Sequence, residues 1–126
     1  MDRNQLIWLF FGFSGRLARA PYFLAGLLLA VFQAFPLYRL TLAPEESSAT
    51  DMWATVFWGV FLLSIWSYVA LGVKRLHDFG KPGILAAALF IPVISIITFV
   101  ILCLYPGDSG ANEFGEETNA PKRGLR

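Results

Sequence analysis

The chain has 126 residues, of which 56% are hydrophobic and 15% are charged, and its formal net charge is +1. Soluble domains carry about one quarter charged residues, and a soluble domain of this length could not bury so many bulky apolar side chains. We therefore predict that the excess faces lipid. The small net charge argues against nucleic-acid binding. The single cysteine, Cys103, excludes an intrachain disulfide and a cysteine-based zinc motif.

The first apolar segment, residues 6–13, is too short to cross a bilayer. We predict a short helix in the interface, with Trp8 at head-group depth. Arg16 and Arg19 follow the start signal at Gly15, and a spacing of one helical turn would place both guanidinium groups on one face. Such a pair can clamp a phosphate. Both arginines can also be explained without a ligand, because positive charges anchor a chain at the cytoplasmic boundary of a membrane. The residue types alone favour this second explanation.

Three longer apolar runs follow, and they occupy residues 21–42, 52–73 and 83–105. At about 1.5 Å per residue, each run gives a helix of roughly 33 Å, against a hydrocarbon core of about 30 Å. We predict three transmembrane helices. Pro92 lies within the third run and indicates a kink there. We favour a kink over a re-entrant hairpin, because two halves of about ten residues would each be too short to span.

The predicted protein is therefore all-α and polytopic, with three transmembrane helices and a short N-terminal interfacial helix. It divides into an interfacial segment (1–20), a transmembrane domain (21–105) and a polar, turn-rich tail (106–126). Short loops on the cytoplasmic side of a membrane are enriched in lysine and arginine. They are concentrated in residues 1–20 and 74–81, whereas residues 43–51 are acidic. We predict a cytoplasmic N-terminus, with the tail on the opposite face. A chain that turned back at Pro92 would instead return the tail to the cytoplasmic face.

The segment 74–83 is the most polar part of the middle of the chain. Its three cations, its acid, the only histidine and a turn glycine are Lys74, Arg75, Lys81, Asp78, His77 and Gly80. Two interpretations stay open. These residues form a polar site at the cytoplasmic interface together with Arg16 and Arg19, or the loop only sets the topology. In the second case Asp78 caps the third helix or pairs with an arginine.

Few polar residues lie inside the apolar runs. They are Gln33, the pair Ser64 and Ser67, and the pair Ser95 and Thr98. Small polar pairs one turn apart usually mediate contact between helices. The runs hold no embedded acid or lysine that would mark an ion path, which argues against a transporter built from one copy. A pore formed by several copies stays open.

The chain resembles the bacterial domain-of-unknown-function family 805 in "FSGRLARAPYF", "KRLHDFGKPG" and "IPVISIITFVILCLYPGDSGANEFG". The matching positions are Gly15, Arg16, Arg19, Tyr22, Phe23, Arg75, Leu76, His77, Asp78, Gly80, Lys81, Pro92, Pro106, Gly107, Asn112, Phe114 and Gly115. The resemblance implies a small protein of the bacterial inner membrane and no assigned activity. It also favours a shared site over a purely topogenic loop. Within the motif, the positions that we assign a structural role are Gly15, Gly80, Pro92, Asn112, Phe114 and Gly115.

We expect a non-enzymatic binding or scaffold protein whose basic cluster binds anionic lipid head groups or a membrane-protein partner. The candidate binding residues are Arg16, Arg19, Arg75, His77, Asp78 and Lys81. The alternative is a subunit of an oligomeric channel or transporter. An enzyme with His77 as base ranks last, because adjacent residues on a turn seldom face one another. We predict no catalytic residue, metal, cofactor or nucleic-acid partner.

Overall fold

The computed structural model describes residues 3–121, and over that range the regular structure is helical apart from isolated bridges. The helices in chain order are α1 (Arg3–Phe11), α2 (Arg19–Leu42), α3 (Ser48–Asp78), a 3₁₀ helix (Gly83–Phe90) and α4 (Pro92–Leu104). The all-α prediction is confirmed at this level. The last five residues of the predicted tail, 122–126, lie outside the described residues.

Helices α2 and α3 form an antiparallel pair and are long and apolar enough to cross a membrane. They contain 24 and 31 residues, which corresponds to roughly 36 Å and 46 Å of helix. In each, only 28% of the most apolar window is buried by the rest of the chain. A core helix of a soluble protein would be mostly buried, so these helices present their apolar side chains outward as a membrane span does.

The third apolar run does not form the single kinked helix predicted from the sequence. It breaks at Ile91, which is extended (φ −95°, ψ 117°), and α4 then starts at Pro92. Proline disfavours helical geometry in the residue before it, and at the first helical position its missing N–H removes no hydrogen bond. The 3₁₀ helix and α4 are roughly 16 Å and 20 Å long, so neither reaches across about 30 Å of hydrocarbon.

The two halves of this run instead form a hairpin, residues 83–104, whose ends both lie at the C-terminal end of α3. At the start of the hairpin, Gly83 lies against Val73 and His77. Near its end, the carbonyl of Leu102 accepts a hydrogen bond of 2.6 Å from Nε of Arg75. The halves are too short to span, as the sequence argument held, but a hairpin that leaves by the face it entered has no need to span.

The tail lies at the same end of the molecule as the N-terminal segment, so its predicted placement on the opposite face is wrong. Residues 106–121 cross the end of α3, where the Asp108 amide donates to the Asp78 carbonyl at 2.7 Å. Further along the tail, Ala120 forms an antiparallel bridge with Arg16. Because the hairpin turns back, it delivers the tail to this end.

The N-terminal segment contains the predicted short helix, α1, which packs against α3. Helix α2 begins only at Arg19, and Arg16 lies before it in a bridge with the tail. The expectation that Arg16 and Arg19 share a helical face is therefore wrong. Gly15 adopts φ +92°, and a side chain there would overlap the Ala120 carbonyl, so this crossing requires glycine.

Candidate functional site

A buried cluster of two arginines and one aspartate lies at the C-terminal end of α3. Asp78 accepts from Arg16, with Nε 3.1 Å from Oδ1, and from Arg75, with Nη1 3.1 Å from Oδ2. Arg16, Arg75 and Asp78 are 1%, 0% and 3% exposed, and we call them the arginine cluster. One carboxylate between two guanidinium groups leaves an excess of positive charge and many N–H donors, which other acceptors must satisfy.

Arg16 directs its remaining donors to the tail. Its Nη1 donates to the carbonyl of Gly110 at 2.6 Å, and its Nη2 donates to the carbonyl of Asp108 at 2.7 Å. Gly107 lies beside the same carboxylate, and a Cβ at that position would overlap Oδ2 of Asp78. The close approach of the tail backbone to the cluster thus depends on Gly107, a position of the family motif for which no structural role was predicted.

Arg75 directs its remaining donors to the end of the hairpin. Its Nε donates to the carbonyl of Leu102, and its Nη2 donates to the carbonyl of Tyr105. These carbonyls belong to the end of α4, where the helix itself supplies no partners and carries partial negative charge. Nη1 also reaches the carbonyl of Leu17, just before α2, at 3.3 Å. Arg75 therefore joins three segments of the chain.

His77 fastens the middle of the tail. Its Nδ1 lies 3.0 Å from the carbonyl of Gly15, which can only accept, so Nδ1 carries a proton. The imidazole ring stacks on Phe114, with centroids 4.1 Å apart and planes 3° from parallel. Asn112 donates from Nδ2 to the carbonyl of His77 at 2.9 Å and accepts from the amide of Phe114 at 2.9 Å. The histidine and the aspartate beside it therefore contact different partners.

The remaining residues of the predicted site lie at the margin of this arrangement. Arg19 is exposed, and its Nη1 donates to the carbonyl of Leu104 at 2.9 Å. Lys81 is also exposed. Gly80 follows the end of α3 with φ +75°, the left-handed conformation that ends many helices. Gly115 lies against the side chain of Arg16. The predicted arginines thus separate into two buried and one exposed.

Lys74 is a further buried cation, and it lies outside the six candidate binding residues. It is 0% exposed, and its Nζ donates to the carbonyls of Trp8 and Leu9 while lying 4.6 Å from the centre of the Trp8 ring. These carbonyls lie in the last turn of α1, and that of Trp8 also accepts from the amide of Gly12 at 3.0 Å. A lysine one helical turn before Asp78 was the available signal, but its partners are backbone atoms far away in sequence.

The arginine cluster is organised to hold segments together. Its donors are directed at Asp78 and at backbone carbonyls of the N-terminal segment, the hairpin and the tail. Among residues 3–121, no three histidine, cysteine, aspartate or glutamate side chains lie close enough to hold a metal ion. The cluster thus joins parts of the chain that lie up to 99 residues apart.

Two long apolar helices, a short apolar hairpin and a polar cluster that closes one end define a small helical membrane protein. The chain belongs to the family described as protein of unknown function (DUF805), whose model matches residues 10–116. That range contains the whole arginine cluster and confirms the family resemblance.

The relatives include a protein called inner membrane protein YhaI in Escherichia coli strain K12. This chain is 30% identical to it over 114 residues, which cover 90% of this chain and 88% of the relative. The protein of the same name from Escherichia coli O157:H7 matches with the same identity and coverage. No solved structure matches the chain.

Proposed function

We propose that this chain is a multi-pass protein of the bacterial inner membrane, with α2 and α3 crossing the bilayer and the hairpin entering and leaving by one face. The names of its relatives and the outward-facing apolar surface of both helices support this placement. The end that carries the arginine cluster is rich in cations, whereas the loop between α2 and α3 is acidic. By the positive-inside rule, the N-terminus, the cluster and the tail face the cytoplasm.

We further propose that the cytoplasmic end binds anionic lipid head groups and is not an enzyme. The observation that carries this proposal is the division of the cations. Arg16 and Arg75 are buried and paired, whereas Arg19 and Lys81 are exposed on the rim around them. The rim cations would meet phosphate groups directly, and the arginine cluster would hold the surface that carries them.

This assignment narrows the set of residues predicted to contact a ligand. Asp78 lies between two guanidinium groups, and His77 is stacked on Phe114 and bonded to Gly15. A general base needs access to a substrate proton, and Asp78 is only 3% exposed, whereas His77 is half-buried against Phe114. We therefore give these two residues a structural role.

The alternative of an oligomeric channel has less support. Ser64 and Ser67 are 6% and 3% exposed within a single copy, so they face neighbouring parts of the same chain. Nε2 of Gln33 lies 3.5 Å from the carbonyl of Phe57, at the contact between α2 and α3. These three polar residues are thus directed inward, as helix-packing residues usually are.

The rim cations provide the test of the lipid proposal. Each lysine or arginine near an anionic surface contributes about 1 kcal/mol, so the R19Q/K81Q double variant should bind phosphatidylglycerol roughly thirtyfold more weakly. The matched control is R39Q, which removes an exposed cation from the other end of α2. Native mass spectrometry with phosphatidylglycerol, and with phosphatidylcholine for comparison, measures the bound lipid. Equal phosphatidylglycerol binding by wild type, double variant and control would refute the proposal.

A further inference from the structure

A lateral groove of about 640 Å³ opens between α2, α3 and the hairpin. Its walls are almost entirely apolar, and they include Leu27 and Ala30 of α2, Tyr68 of α3, and Phe99 of α4. The groove exists because the hairpin turns back at Ile91 and leaves the two long helices uncovered beyond it. Its volume lies within the range of pockets that hold small ligands.

An exposed cation stands at the outer end of this groove. Arg19, Phe23, Leu27 and Ala30 follow at spacings of four, four and three residues, so they share one face of α2. The last three line the groove. The guanidinium of Arg19 has five N–H donors and uses Nη1 for the carbonyl of Leu104. A positive group therefore lies in line with an apolar channel along the helix.

The length of the row from Arg19 to Ala30 distinguishes a partner helix from a lipid acyl chain as the occupant of the groove. From Arg19 to Ala30 the helix rises roughly 16 Å. One leaflet contributes about 15 Å of hydrocarbon, half of a core of about 30 Å. A partner transmembrane helix would require a surface along the full thickness, whereas one acyl chain of a phospholipid requires one leaflet.

We propose that the groove is a specific site for an anionic glycerophospholipid of the cytoplasmic leaflet. Its phosphate lies at Arg19, and one acyl chain lies along Phe23, Leu27 and Ala30. This inference rests on the proposed affinity of the cytoplasmic end for anionic lipid and adds a defined seat for the chain. Hydrocarbon gains little by moving from bilayer to groove, so close packing and the phosphate contact provide the selectivity.

The variant A30F tests the seat for the chain, because Ala30 is exposed and its side chain borders the groove. A phenyl ring there occupies the groove and excludes an acyl chain. In native mass spectrometry with dioleoyl phosphatidylglycerol, we expect R19Q to retain about fivefold less lipid than wild type. We expect A30F to retain less lipid than wild type as well. The control A87F adds the same ring at an exposed alanine of the hairpin that does not line the groove, and it should retain lipid like wild type.

A second measurement uses the wild-type protein and does not depend on the folding of a variant. Phosphatidylglycerol with a diazirine in the middle of its acyl chain labels the residues that the chain touches. We expect labelling of the groove residues Leu27, Ala30 and Phe99 to exceed that of Leu24 and Val31. The two reference residues are 61% and 59% exposed and do not line the groove. Uniform labelling would overturn the inference.

The outcomes separate this inference from the proposed function. If R19Q/K81Q loses lipid while A30F retains it and labelling is uniform, the surface binds head groups and the groove holds no specific chain. If every variant retains lipid like wild type, both proposals fail. Loss of lipid by R19Q and A30F, with retention by A87F, supports both.

Discussion

Neutralising Asp78 is the sharpest test of the role given to the arginine cluster. In D78N, Arg16 and Arg75, which are 1% and 0% exposed, lose the carboxylate that lies 3.1 Å from each guanidinium group. Removing one partner of a buried ion pair typically destabilises a protein by about 3–5 kcal/mol. The asparagine oxygen and the carbonyl partners of the arginines compensate in part. We therefore expect the lower end of this range, about 3 kcal/mol.

Reversible unfolding in mixed micelles with increasing denaturing detergent measures this change in the free energy of unfolding. The matched control is D51N, which makes the same chemical change at an exposed position in the first turn of α3. We expect that control to lie within about 0.5 kcal/mol of wild type. A loss below about 1 kcal/mol in D78N would refute the structural role of the cluster.

Two further predictions concern the tail. G107A places a methyl group against Oδ2 of Asp78 and should release the tail from the end of α3. Limited proteolysis between residues 106 and 121 should therefore be at least tenfold faster than in wild type. The control G110A, whose added methyl group meets no neighbour within 4 Å, should be cleaved at the wild-type rate. Equal cleavage of both variants would contradict this account. The side of the tail can be tested with single cysteines in a variant without the native cysteine. S109C should react with an impermeant maleimide only from the cytoplasmic side, and E45C should react only from the opposite side. Labelling of both cysteines from one side would exclude the proposed topology.

The two long helices were predictable from the sequence because uninterrupted apolar runs of that length have few other folds. The turn at Ile91 was not, since proline within an apolar run is equally compatible with a kinked span. The two outcomes differ in where the run ends, and that end is held by Arg75 through the carbonyls of Leu102 and Tyr105. Every residue has a backbone carbonyl, so the sequence does not show which carbonyls Arg75 binds. The hairpin could therefore not be predicted from residue types.

The polar cluster was predicted in part for a related reason. Opposite charges near one membrane face suggested that Arg16, Arg75 and Asp78 meet, and the structure brings these three together. The tail was predicted to be a polar, turn-rich segment because its glycines and asparagines are typical of loops. Its actual contacts depend on backbone shape, through Gly107 and the carbonyl of Gly110, which residue types alone do not encode.

The position of the cluster also constrains how the protein is made. Arg16 is synthesised early and Arg75 past the middle of the chain, but several of their acceptors lie at residues 102–110. These residues are added at about 5–20 per second, after α3 has been synthesised. Until then the guanidinium groups of the nascent chain lack these carbonyl partners. Closure of the fold must therefore wait until residues 102–110 have been added, and a chain truncated before Pro106 would lack the carbonyls of Asp108 and Gly110 that Arg16 uses.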